Sequence, residues 1–170
     1  VNITVPRFCL IVLIGSSGAG KSTFAKNNFK ITEIISSDYC RGLVCDDEND
    51  QTISEHAFDL LHYIVEKRLL IGKLTVVDAT NLHEQARRQL LEIANRNNCL
   101  SAAVIFNISE QLCKERDKKR SDRQVGENVI RKHSILLSRT MNSIYNEGFR
   151  YIYVLNSPEE INSIEIKREG

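Results

Sequence analysis

Several absences narrow this sequence before any motif is read. No apolar run approaches the roughly twenty residues of a membrane span, and no signal-peptide pattern precedes Phe8. No Cys-x-x-Cys occurs. The five cysteines, Cys9, Cys40, Cys45, Cys99 and Cys113, are odd in number and widely spaced, and the four histidines do not stand at metal-ligand spacing. That usage points to reduced thiols in a cytoplasmic protein without structural zinc. Net charge is scarce too, at +1, so global electrostatics does not argue for nucleic acid, and any polyanion site must be a local basic patch. An Asn-Lys-x-Asp guanine motif is missing, which weighs against a GTPase. So is an aromatic RNP-type strand, which weighs against a simple RNA-binding module. No repeat or low-complexity segment interrupts the chain. What is left is one domain of 170 residues, 42% hydrophobic and 26% charged, long enough to bury a core.

Within that ordinary composition one stretch stands out: Gly15-Ser16-Ser17-Gly18-Ala19-Gly20-Lys21-Ser22-Thr23. It follows an apolar run over 8–14 and precedes a helix-compatible run over 23–29. Strand, glycine-rich loop and helix form the context that a G-x-x-x-x-G-K-[ST] match requires. The glycines let consecutive N–H groups turn inward toward phosphate oxygens. The helix adds its positive N-terminal end to the same anion. Gly15 through Thr23 are therefore the expected nucleotide cradle. Lys21 supplies a cation for the β- and γ-phosphates, and Ser22 a hydroxyl ligand for Mg²⁺.

The rest of the chain alternates strand and helix signals. Strands are expected over 8–14, 31–36, 74–77, 101–108 and 151–155. Helices are expected from Ser54 to Gly72, with Thr52 and Glu55 in capping-box form, after Asn81 as a cap, after Ser109, from Gly126 to Gly148, and at Pro158 behind Ser157. In the helix after Gly126, Val129, Ile130, Leu136, Leu137, Met141 and Ile144 are assigned inward. The polar segment over 43–52, which holds Asp46, Asp47, Glu48 and Asp50, lacks calcium-loop spacing and reads as a solvated loop. The expected fold is α/β: a P-loop NTPase or kinase fold, with a mostly parallel five-stranded sheet, helices on both faces and a lid. Ligands then bind beyond the carboxyl ends of the strands. The Gly15 loop, Asp38 and Asp78 all fall at such ends.

Those strand ends suggest roles. Asp38 is a candidate base for the hydroxyl of a phosphate acceptor, and Arg41 a donor fork that holds that acceptor. The competing reading makes Asp38 only a helix cap. Asp78, after an apolar strand, sits where a carboxylate would orient Ser22 or hold a water on the metal. A plain turn residue is the alternative. Residues 114–123 are rich in lysine and arginine. If helical throughout, they place Arg116 and Arg123 on one face, about two turns apart. There both arginines could meet charge developing on a transferred phosphoryl group, although a solvated charged helix would look the same.

The Gly15 loop, Ser37-Asp38-x-x-Arg41, Asp78-Ala79-Thr80-Asn81 and Arg116-x₆-Arg123, in this order and spacing, together resemble the 5′-polynucleotide kinase domain of bacterial polynucleotide kinase–phosphatases. The resemblance spans residues 8–155. It implies a kinase that moves the γ-phosphate of ATP or another NTP to a 5′-hydroxyl end of RNA or DNA, with Mg²⁺ or Mn²⁺. Lys21 and Ser22 would then serve phosphates and metal, and Asp38 would be the base. Arg41 would grip the phosphate beside the terminal nucleoside, and Arg116 and Arg123 would act as lid residues on the donor. It also implies fused phosphatase and ligase domains, so that residues 1–170 would be the N-terminal domain of a longer protein, and a homodimer. A small-molecule kinase shares every feature except what Arg41 grips. A nucleotide-hydrolysing switch shares the cradle alone. Tyr39, beside Asp38, has either a stacking role on a terminal base or a packing role.

Overall fold

The computed structural model describes residues 2–170. The chain enters through a short strand, β1 (Asn2–Pro6), and then builds a five-stranded sheet. Its strands are β2 (Cys9–Ile14), β3 (Ile34–Ser36), β4 (Thr75–Asp78), β5 (Leu100–Phe106) and β6 (Tyr151–Leu155), in the order β3-β4-β2-β5-β6. Every neighbour is parallel, with Leu10 of β2 opposite Thr75 on one side and Ser101 on the other. The intervening helices are α1 (Lys21–Asn28), α2 (Ser37–Cys45), α3 (Ser54–Leu70), α4 (Glu84–Arg96), α5 (Glu110–Lys119), α6 (Glu127–Ser143) and α7 (Pro158–Ser163).

β2 is the central strand because all six of its residues are apolar and can be buried on both faces. Leu10, Val12 and Ile14 face a core made with Leu61 and Val65 of α3, Leu90 and Ile93 of α4, and Leu137 of α6. Cys9, Ile11 and Leu13 face a second core with Phe24 of α1, Ile3 and Val5 of β1, Cys113 of α5 and Ile161 of α7. Each fully buried leucine or isoleucine contributes about 1.5–3 kcal/mol. Cutting Leu13 to alanine would cost about 2–5 kcal/mol, because the layers on both sides limit collapse. The expected five parallel strands and two helical layers are all present. No helix among the described residues is long and apolar enough to cross a membrane.

Several local expectations are corrected. A second, two-stranded parallel sheet pairs β1 with β7 (Glu165–Glu169), and neither strand is legible from pattern alone. Residues 31–33 form a 3₁₀ turn before β3 rather than the start of a strand, and Ile31 is 74% exposed. Residues 43–45, read as polar loop, are the last turn of α2, which ends where Asp46 takes a left-handed φ of 62°. Thr52 and Glu55 do not cap α3. Instead the Asp50 side chain accepts from the Thr52 N–H, while the Asp47 side chain accepts from Asn49, so this acidic loop's carboxylates close its own turns. Asn81 is not a cap either: it is buried, at a φ of 49°, and its amide donates to the Leu13 carbonyl of β2 at 2.7 Å. Ser109 and Ser157 do cap their helices, accepting from Leu112 and Glu160. In α6, Val129 turns outward at 37% exposure while Ile130 is buried.

Candidate active site

β2 delivers the chain to the glycine-rich loop at the carboxyl edge of the sheet. The Gly15 N–H donates to the Thr80 carbonyl at 3.0 Å, which stitches the start of the loop to the turn after β4. Gly18 takes a φ of 82°, and a Cβ there would stand 2.9 Å from the Cys113 carbonyl, so only glycine lets the loop lie against α5. Gly20, at a φ of 97°, launches α1 without a side-chain cap, leaving the helix's first N–H groups turned toward the loop. Lys21 opens α1. It is buried, and its ammonium donates to the Ser16 carbonyl at 2.8 Å. Burial lowers its proton affinity below that of an ordinary lysine. Asp78, Cys113 and Asp38 oppose that shift, and Arg123 adds to it.

Ser22 and Asp78 meet directly: the hydroxyl donates to the carboxylate Oδ2 at 2.7 Å. Asp78 is buried at the end of β4, and the contact pairs a hydroxyl with a carboxylate on the loop's helix side. These are hard oxygen donors, the set that suits Mg²⁺ rather than a soft metal.

Asp38 lies in the first turn of α2. It is not the cap; Ser36 is, accepting from the Tyr39 N–H. Two arginines converge on its Oδ1, Arg41 from the next turn of α2 and Arg123 from the connection between α5 and α6, each through Nη1 at 2.6 Å. Arg41 is buried, and its Nε donates to Ser54 Oγ at 3.2 Å. The expectation of one helix carrying both lid arginines is corrected here. α5 stops at Lys119, and Arg120 is already extended. Arg116 on α5 donates to the Gly18 carbonyl at 3.1 Å, while Arg123 reaches the opposite wall from a loop. That loop is held by Asp117, buried on α5, whose two carboxylate oxygens accept from the N–H groups of Val125 and Gly126. Lys21, Ser22, Asp38, Arg41, Asp78, Arg116 and Arg123 all line one cleft of about 1560 Å³.

An AAA domain family, AAA_33, matches residues 10–137, which run from β2 to the middle of α6. The chain belongs to that family. Among solved structures, a chain of the Pnkp1/Rnl/Hen1 RNA repair complex superposes on this AAA domain with a TM-score of 0.70 at 20% identity, over 82% of this chain and 47% of that one. A chain of the PezAT toxin–antitoxin system of Streptococcus pneumoniae gives 0.63 at 15% identity, over 90% and 69%. Shikimate kinase from Acinetobacter baumannii, in complex with shikimate, gives 0.54 at 20% identity, over 90% and 87%. The AAA domain therefore has a P-loop kinase fold, and it spans about half of the RNA-repair chain it matches. No curated protein matches it in sequence.

Two residues that brace this AAA domain's cleft stand outside the motifs read in the sequence. His133 of α6 approaches the loop, its Nδ1 accepting from the Ser17 N–H at 3.3 Å and lying 3.3 Å from Ser16 Oγ. Burial, then the charges of Lys21, His83 and Arg123, push its pKa down to about 4. Arg87 of α4 is 1% exposed and donates to Glu147, to Thr140 Oγ1 and to the Asn81 carbonyl, bracing the turn that meets the loop. A usable signal exists for Arg87: it falls on the buried face of α4 with Leu90, Leu91 and Ala94, where a charge needs a partner. For His133 there is none, since a lone histidine on an amphipathic helix looks like any surface residue.

Proposed function

We propose that this chain is a polynucleotide 5′-kinase, transferring the γ-phosphate of ATP or another NTP to a 5′-hydroxyl end of RNA or DNA. The observation that carries the reading is the convergence on Asp38. A carboxylate on the acceptor wall shares one cleft with the phosphate cradle, and a guanidinium from each side meets its Oδ1. In this reading the 5′-oxygen attacks the γ-phosphorus in line while its proton passes to Asp38. The new O–P bond forms as the bond to the β-γ bridging oxygen breaks, and the nucleoside diphosphate leaves. Lys21 and the loop N–H groups hold the phosphates, and Arg116 and Arg123 stabilise the charge spreading over the transferred group. Ser22 and, through water, Asp78 would hold Mg²⁺ or Mn²⁺, which when bound neutralises charge on the donor phosphates. Arg41, buried and braced by Ser54, presents its fork to the first phosphate of the acceptor.

The similarity to a chain of an RNA repair complex, of which this chain covers 47%, supports a repair setting within a larger protein; an N-terminal place in it, phosphatase and ligase partners, a homodimer and a cytoplasmic site rest on the motif resemblance. A second reading, a kinase for a small hydroxyl compound, draws support from the cleft beyond Asp38. Glu55, Asp59 and His62 of α3 and Gln85 and Gln89 of α4 also line the cleft, groups suited to binding hydroxyls rather than a run of phosphates. Transfer of label from γ-labelled ATP, compared between 5′-hydroxyl oligonucleotides and a panel of sugars, nucleosides and metabolites, separates the two. Label on the oligonucleotide 5′ end is expected. Label confined to a small compound gives the second reading, and hydrolysis indifferent to every acceptor overturns both.

A further inference from the structure

The peptide unit joining Ser16 to Ser17 is gripped at both edges. Its carbonyl oxygen accepts from Lys21 Nζ at 2.8 Å, and its N–H donates to His133 Nδ1 at 3.3 Å. A trans peptide is a rigid plate whose C=O and N–H point opposite ways, so ammonium and imidazole hold one plate from two sides. The same Ser16 carbonyl also accepts from the Ala19 N–H at 3.1 Å, and the start of the loop is anchored separately by the Gly15 N–H on the Thr80 carbonyl at 3.0 Å. The tilt of this plate decides where the Ser16 carbonyl points, and the Lys21 ammonium rests on that carbonyl.

We propose that His133 is a positioning residue for Lys21: by accepting the Ser17 N–H on a bare Nδ1, it fixes the Ser16–Ser17 peptide and so the seat of the lysine ammonium. This rests on the reading of Lys21 as the cation of phosphoryl transfer. A backbone N–H can only donate, so Nδ1 carries no proton and the neutral ring holds its hydrogen on Nε2. The Ser16 hydroxyl has a carbonyl of its own to donate to, Ser17 O at 3.0 Å, which leaves Nδ1 to the amide. The charged and titratable groups facing the ring are Lys21 from α1, His83 from the turn before α4, and Arg123 from the α5–α6 connection. All disfavour a second proton on it. Ser16 and Ser17 are both buried, so an amide deprived of this acceptor must swing to find another and carries the Ser16 carbonyl with it.

The test compares the wild type with His133→Ala and His133→Asn, whose side-chain oxygen stands where Nδ1 stood. The readouts are kcat, KM and hydrogen exchange at the ¹⁵N-labelled Ser17 amide. His133→Ala is expected to lower kcat about 10-fold with little change in acceptor KM. It should also expose the Ser17 amide to exchange. His133→Asn is expected to restore kcat to within about two-fold and to restore protection. A wild-type kcat in His133→Ala, or equal losses in the two variants, overturns the proposal. If His133→Ala does not fold, His133→Gln replaces it. Its oxygen lies past the Nδ1 position, so a Gln loss with Asn rescue supports the proposal, and equal rates overturn it. If the wild type phosphorylates no acceptor, the functional reading fails while Ser17 exchange still decides this inference. Protection lost in Ala and kept in Asn supports it; protection unchanged in all three overturns it.

Discussion

On the proposed reading the cleft has a donor wall and an acceptor wall, and the two are built differently. The donor wall is mostly backbone: loop N–H groups, the start of α1, and carbonyls of Ser16 and Gly18 that receive Lys21 and Arg116. Its loop lies within nine consecutive residues, completed by Asp78 and Arg116 from elsewhere in the chain. The acceptor wall is side chains: Asp38 and Arg41 from α2, Ser54 from α3, and Arg123 from a loop far along the chain. A backbone cradle tolerates changes of side chain but not of φ, and it binds what all nucleotides share. A wall of side chains can be re-specified residue by residue, which is how one kinase fold supports different acceptors.

The sharpest way to break this comparison is Asp38→Ala. Phosphoryl transfer should fall by about 10²–10⁴-fold, while nucleotide affinity, read by calorimetry, stays at the wild-type value. A variant transferring at full rate removes Asp38 from the chemistry. Next in size is a change that should affect both walls through stability. Arg87→Ala leaves the buried Glu147 carboxylate with Ser143 but without its ion-pair partner and should cost about 3–5 kcal/mol in urea unfolding; the two side chains are only 2% and 7% exposed. A milder donor-side change is Asp78→Asn, expected to reduce the rate about 10- to 100-fold and to raise the Mg²⁺ concentration required, because Ser22 loses its carboxylate partner. On the acceptor side, Arg41→Lys should raise acceptor KM roughly 10-fold while leaving nucleotide affinity unchanged, since a lysine cannot hold Asp38, Ser54 and a phosphate together.

A separate effect, on stability rather than on either wall, is a pH dependence. His133 binds its proton at about 4 in the folded protein against an ordinary value of 6.5. Between those values the unfolded chain carries the extra proton. Its contribution to stability is therefore fully present above pH 6.5 and declines as pH falls toward 4. Glu147 adds to acid sensitivity. Burial works to raise its pKa, but hydrogen bonds from Arg87 and Ser143 outweigh it, so its folded pKa is lowered. Its contribution is present above the ordinary carboxylate value and lost as pH falls through the folded one. Urea midpoints from pH 7 to pH 4 should drop less in His133→Asn than in the wild type; parallel curves would remove histidine from the account.

Local signals explain which of these residues could be anticipated. Asp38 and Arg41 stand three apart just past a strand, so one turn of helix suffices to bring them together. Asp78 follows an apolar strand. The spacing of Arg116 and Arg123 pairs them on one helix, but α5 ends between them, and Asp117 folds the following loop back so that Arg123 arrives at Asp38 from the other side. β1 and β7 are short and pair across nearly the whole length of the chain, so neither carries a signal strong enough to be read singly. Asn81 has the composition of a cap, yet its amide is claimed by β2.

By itself the sequence determined the central apolar strand, the glycine loop, the first turn of α1 and the parallel αβ alternation, because each follows from hydrophobic period, left-handed glycines or caps acting over a few residues. The tertiary structure alone decided that Arg123 meets Asp38, that His133 holds the loop's second peptide, and that Arg87 is buried beneath the turn after β4. Those contacts join segments distant in the chain, and side chains with no local pattern gain their partners only when the two helical layers close on the sheet.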